Sequence, residues 1–252
     1  MKLQSFPSRI VTLLFAIFTL STSVVNADTN IRALSYYETP PLYNSDGRGL
    51  VYDIIDAIDD ECSDINFDYK VFTRPVLDRL LINIEQPVII LLVNPLWFQD
   101  VDRTKYNWSL PIYSDSNAVI SNKNDPIEFT GPETFKNQSV AVLKRHRFHI
   151  LDQLVDQRLA TRLNFSTIES IVQKIAQNNV RMAIIPFLPA YYQTEKHQLG
   201  NVIHFSSKSQ HYFERHLLLK NVSPEDEKQI NQAIETLQKN GRLKEILAKY
   251  GY

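Results

Sequence analysis

The sequence predicts an α/β fold built as two lobes, on three observations. Strand-like and helix-like stretches alternate along the chain, the pattern of parallel sheets covered by helices. Val88–Val93 (VIILLV) is apolar on both faces and rich in β-branched residues, as a central strand covered on both sides must be. The alternation falls into two runs of roughly 90 residues each, the size of small lobes.

The elements follow in order. Ile31–Tyr37 reads as the first strand, and Pro40, Pro41, Asn44, Asp46, Gly47 and Gly49 after it form a turn-rich loop. Leu50–Asp60 carries apolar residues at 50, 51, 54, 55 and 58, the stripe of an amphipathic helix. Ile65–Phe72 alternates Ile65, Phe67, Tyr69 and Val71 on one face, which suits a half-exposed strand. Pro75 opens a helix through Leu77, Leu80, Leu81 and Ile84, and Pro87 stops it. Beyond the 88–93 strand, Ala118–Ser121 and Ser139–Leu143 read as strands, Phe148–Leu159 and Ser166–Gln177 as helices, and Arg181–Ile185 and Asn201–Phe205 as strands. Ser223-Pro224-Glu225-Asp226 places a hydroxyl cap, a proline at the first helical position and acids in the first turn. Ile230, Ala233, Ile234 and Leu237 continue at helical spacing, Asn240-Gly241 interrupts, and Arg242–Tyr250 forms a second, short helix.

Composition narrows the function. Lys plus Arg total 27 against 28 for Asp plus Glu, so neither a nucleic-acid coat nor an acidic tail is expected. Only 6 of 252 residues are glycine, and neither G-x-G-x-x-G nor G-x-x-x-x-G-K occurs, so no Gly-rich phosphate loop and no cofactor are expected. One cysteine, Cys62, allows no internal disulfide and no Cys-based zinc site. Lys2 and Arg9, the apolar stretch Ile10–Leu20 and the small-residue end Val25-Asn26-Ala27 have the layout of a secretory leader, with cleavage expected after Ala27. The apolar stretch falls short of the ~20 residues that span a bilayer, so release rather than anchoring is expected. A released protein with one cysteine fits a bacterial periplasm.

The order of motifs resembles the periplasmic solute-binding proteins of ABC transporters, in particular the polar-amino-acid type, bacterial extracellular solute-binding protein family 3. The residues that carry the resemblance are Tyr37-Glu-Thr-Pro-Pro-Leu42, Asp46-Gly47, Gly49-Leu-Val-Tyr-Asp53, Arg103-Thr-Lys, Trp108-Ser109, Pro111-Ile-Tyr113, Asn137-Gln-Ser-Val-Ala-Val142, Ile230-Asn-Gln-Ala-Ile234, Asn240-Gly241-Arg-Leu and Lys249-Tyr-Gly251. The resemblance implies a two-lobed type II periplasmic binding protein fold, each lobe a mixed sheet flanked by helices, with two hinge crossings. It places lobe one at 28–117 plus 210–252 and lobe two at 118–209. It further implies a monomer that captures a small molecule in the interlobe cleft and a permease of an ABC transporter as its partner.

Ligand-binding expectations rest on Tyr37, Trp97, Arg103, Arg145 and Phe187. Tyr37 at the first strand's end, Trp97 after the 88–93 strand and Phe187 beyond the 181–185 strand are placed to line the cleft, where mostly apolar walls carry a few aimed polar groups. Arg103 occupies the place of the family's carboxylate-gripping arginine, a role for a planar bidentate fork; a surface ion pair is its other reading. The turn Lys144-Arg-His-Arg-Phe-His149 precedes a helix and reads either as an anion site using Arg145 or Arg147 or as a solvated basic turn. Where the family places acids for a ligand ammonium, this chain has Arg181 and Pro186. A desolvated ammonium without a charge partner is costly, so a solute without an obligatory ammonium is expected. No Ser/His/Asp order or paired-carboxylate spacing stands out and only Glu38 and Asp100 offer an acid near strand ends, so the protein is read as a non-enzyme. A stand-alone sensor or interaction module of the same fold, or a dehydratase-like enzyme, are the alternatives.

Overall fold

The computed structural model describes residues 29–43 and 46–252; the leader and its cleavage point lie outside them. Among the described residues no helix is long and apolar enough to cross a membrane. In chain order the elements are β1 (Thr29–Ser35), α1 (Leu50–Asp60), β2 (Ile65–Val71), α2 (Arg74–Asn83), β3 (Val88–Val93), β4 (Asn107–Trp108), β5 (Tyr113–Asn122), β6 (Ser139–Leu143), α3 (His149–Asp156), β7 (Thr161–Phe165), α4 (Ile168–Ala176), β8 (Met182–Pro186), α5 (Phe187–Lys196), β9 (Ile203–Phe205), β10 (His211–Lys220), α6 (Pro224–Lys239) and α7 (Arg242–Ala248).

The strands run in the order β2-β1-β3-β10-β5-β8-β6-β7, with β4 beside β10 and β9 beside β5. β1 pairs with β2 and β3 in parallel, as does β6 with β7 and β8. β10 runs antiparallel to both β3 and β5, and β5 antiparallel to β8, so the sheets are mixed rather than purely parallel. One strand serves both halves of the molecule: His211–Arg215 of β10 pair with β5, while His216 and Leu218–Lys220 pair with β3. β5 and β10 are thus the two crossings between the lobes.

Each lobe has core on both faces of its sheet. In β3, Ile89 and Leu91 pack with α1 and α6 residues such as Ile54, Ile58 and Ile230, while Val88, Ile90 and Val93 pack with Leu77 and Leu81 of α2. β8 does the same in the other lobe: Ala183 and Ile185 meet Ile171, Val172 and Ile175 of α4, and Met182 and Ile184 meet Leu151 and Leu154 of α3. Each such side chain contributes roughly 1.5–3 kcal/mol on full burial, which is why the apolar runs hold the sheets.

Several elements match the sequence expectation and several do not. α1 and β3 have the expected bounds, and Ser223 caps α6 by accepting from the Asp226 amide at 3.1 Å. The strand expected at Ala118–Ser121 begins five residues earlier at Tyr113. β7, α5 and β10 stand where no element was assigned. Pro189 lies in the first turn of α5, where its missing N–H costs no helical bond.

Gly49 sets the entry to α1. Its φ is 133°, and a Cβ there would lie 2.6 Å from the Leu42 carbonyl oxygen. Gly49→Ala is therefore expected to destabilise the chain by about 1–3 kcal/mol, read from urea unfolding.

Candidate interlobe site

Where β5 and β10 cross between the lobes, period-two alternation puts Tyr113 and Asp115 of one strand and Phe213 and Arg215 of the other on one face. The register supports this, with Tyr113 opposite Arg215 and Asp115 opposite Phe213. Arg215 is 4% exposed and Asp115 2%. Arg215 donates through Nε at 2.9 Å and Nη2 at 2.5 Å to one Asp115 oxygen. Its Nη1 donates to the Tyr37 hydroxyl at 2.5 Å and to the Leu92 carbonyl at 2.8 Å. Tyr37 itself donates to the same Leu92 carbonyl at 2.7 Å.

Leu92 is aimed by backbone distortion. Its φ of 55° is the left-handed region that a non-glycine residue enters only under constraint, and the β3–β10 register slips between His216 and Leu218. Leu92 thus spends its carbonyl on the site.

Aromatic rings surround the guanidinium. Its carbon lies 4.7 Å from the Trp97 ring centre, 5.1 Å from Phe213 and 5.6 Å from Tyr37, within cation–π range. Trp97 and Phe213 meet edge to face at 5.2 Å, and Tyr36 lies 4.8 Å from Tyr37. Both tyrosines follow the end of β1, so strict strand alternation does not separate them. On the lobe-two side, Phe187 at the start of α5 packs on Tyr191, Phe205 and Tyr252, and Tyr252 donates to the second Asp115 oxygen at 2.5 Å.

These surroundings fix the charges. Burial works against the Arg215 charge, but the oxygens of Tyr37 and Asp115 outweigh it and hold the guanidinium protonated. Burial pushes the Tyr37, Tyr113 and Tyr252 phenols up, so all three remain neutral hydroxyls. The Tyr113 hydroxyl is buried and has no hydrogen-bond partner among the described residues.

Of the expected residues, Tyr37 and Trp97 flank the Arg215 guanidinium and Phe187 reaches the cluster through Tyr252, whereas Arg103 and Arg145 lie elsewhere. Arg103 is exposed and reaches His216 at 3.3 Å. His216 follows Arg215 on the strand, so Arg103 lies on the opposite face of β10 from the aromatic cluster. Arg145 is exposed in the turn after β6, with φ 70°. That turn is fixed from below by Arg162, which donates to the His146 carbonyl at 2.5 Å and to Asp152 at 2.7 Å. Desolvation, and then the charge of Arg162, lower the His146 pKa.

Of the two acids near strand ends, Asp100 is already committed. Asp100 is buried and accepts from the amides of Thr104, Lys105 and Tyr106 and from the Trp108 indole at 2.7 Å. Glu38 is exposed. Arg181 pairs with Asp125 at 2.7 Å at the surface, and Pro186 ends β8 opposite Asn117. Asp115, Phe213, Arg215 and Tyr252 were not among the expected site residues. The signal for two of them was the alternation of Phe213 and Arg215 within Tyr-Phe-Glu-Arg-His, the pattern of a strand with one aromatic-cationic face.

No family model matches the sequence, and no curated protein matches it. Solved structures do match it. The ligand-binding core of GluR0 from Nostoc punctiforme in complex with L-glutamate aligns with a TM-score of 0.64 at 16% identity, over 88% of this chain and 98% of that one. A probable amino-acid ABC transporter extracellular-binding protein, ytmK from Bacillus subtilis, aligns at 0.70 with 11% identity, over 89% and 98%. A histidine kinase sensor domain with similarity to periplasmic binding proteins aligns at 0.64 with 16% identity, over 90% and 97%. At these identities the likeness speaks to the fold alone, and it shows that this chain has the two-lobed fold of the type II periplasmic binding proteins.

Proposed function

We propose that the protein is a periplasmic solute-binding receptor that captures a small, polar, carboxylate-bearing solute between its lobes and presents it to the permease of an ABC transporter. On this reading 28–117 plus 210–252 form lobe one, 118–209 form lobe two, and the leader ending at Ala27 directs export. The observation that carries it is the aromatic-lined cluster around Arg215 where the strands pass between lobes. Its cation is buried, its walls are Tyr37, Trp97 and Phe213, and the turn after β6 carries the exposed cations Lys144, Arg145 and Arg147. Because Arg215 is neutralised by Asp115, the attraction for an anion falls to the exposed cations of that turn. The buried acid there, Asp115, is occupied by Arg215 and Tyr252, which leaves a ligand ammonium without a counter-charge.

The test is a thermal-shift screen of the twenty amino acids, mono- and dicarboxylates and neutral oligosaccharides, since a ligand that prefers the native state raises its melting temperature. Carboxylates lacking an α-ammonium are expected to raise it, and Arg145→Gln to weaken that binding more at low salt than at high salt, through the lost positive charge of the turn rather than a lost contact. Micromolar binding of a standard amino acid, or no shift with any carboxylate, overturns the reading.

A stand-alone sensor or interaction module is the second reading, favoured by the internal saturation of the Asp115–Arg215 pair. It predicts no permease-dependent uptake of any bound solute, where the transport reading predicts uptake.

A further inference from the structure

The segment after α7 runs from one lobe to the other. Tyr250 donates to Asp53 of α1 at 3.1 Å, and Lys249 lies 3.6 Å from the same carboxylate, so this end is fixed to lobe one. Gly251 then lies flat on the Tyr191 ring of α5: a Cβ at Gly251 would come within 2.3 Å of two ring carbons, and its φ is 101°. Tyr252 sets its ring 5.7 Å from Phe187 of lobe two and 5.3 Å from Tyr113 of the crossing strand, and its hydroxyl donates to Asp115.

We propose that residues 250–252 are a strap that holds the two lobes together across the Arg215 cluster without any ligand. The contacts are of the right kind. The Tyr252–Phe187 ring contact and the close seat of Gly251 on Tyr191 tie the segment to α5 of lobe two, beside Leu188 of α5, which is buried in the lobe-one core, while Tyr113 and Asp115 anchor Tyr252 on the crossing strand. The place of Gly251 is also specific, because any side chain there would lift the segment from α5. Since the strap shares Asp115 with Arg215, its release would leave Asp115 Oδ1 with the Ser116 amide as its remaining donor and uncover Tyr113, whose hydroxyl has no partner among the described residues. The strap therefore adds to the resting closure that Leu188 of α5 also supports and limits access to the cluster. This holds whatever solute the cleft takes.

The test is small-angle scattering of the full chain without ligand. The unsubstituted protein should be close to the roughly 17–18 Å radius of gyration of a compact chain of this length. Tyr252→Ala and Gly251→Ala should both scatter with a larger radius while their circular dichroism stays unchanged. Tyr252→Phe keeps the ring and loses only the bond to Asp115; it should speed amide exchange at 187–191 about ten-fold. Folded Tyr252→Ala and Gly251→Ala proteins with the parent scattering profile overturn the proposal. So does a Tyr252→Phe variant that fails to fold, because a strap is dispensable to the fold of each lobe.

Discussion

Replacing Arg215 by methionine is expected to lower the free energy of unfolding by about 3–5 kcal/mol, the usual cost of removing one partner from a buried ion pair. The number is large because the loss is not confined to one bond. Asp115, 2% exposed, keeps a charge whose main counter-ion has gone, and the Leu92 carbonyl loses one of its two donors. The double variant Arg215→Met with Asp115→Leu removes both charges and is expected to recover part of the loss, since an apolar pair of similar volume needs no compensation. Urea unfolding of the three proteins checks this. A single variant within 1 kcal/mol of the parent would mean that water already reaches Asp115.

Asp100→Ala is the second large effect, about 2–4 kcal/mol, because it leaves several donors without an acceptor at once. Its carboxylate gathers three backbone amides and the Trp108 indole, and so closes the 100–108 loop against β10. Removal from water alone would raise its pKa, but the Trp108 and backbone N–H groups prevail and hold it below the usual carboxylate value. The folded pKa being depressed, this stabilisation is full above the unfolded value of about 3.9 and is lost as pH falls through the lower folded value. Melting curves against pH should therefore show an acid limb in the parent protein that is flatter in Asp100→Asn.

What was legible in the sequence was what is local. The 88–93 strand announces itself because both of its faces are covered, and α1 because its five apolar positions fall on one stripe. The Ser223-Pro224 start of α6 is a cap written in four residues. β10 was not legible because its two halves serve different sheets: HYFER alternates for one environment and HLLLK is continuous for another, so no single period runs through it. α5 was hidden by a weak stripe and by Pro189. The same division holds at the site. Tyr37, Trp97 and Phe187 could be placed from strand ends, whereas the Asp115–Arg215 pair joins residues 100 positions apart and has no local mark. Arg103 drew attention through a short motif, yet its face of β10 is set by register, which a motif does not contain.

The crossing of β5 and β10 as an antiparallel ladder, with 113–117 bonded to 211–215, also limits how the molecule can move. Two ladder-bonded strands resist shear in their own plane and flex mainly out of it. The lobes are therefore expected to swing about one axis, like a book on its spine, rather than to swivel freely as they would on two separate linkers. Distances measured between spin labels placed on α2 and α4 should then track a single coordinate under all solution conditions.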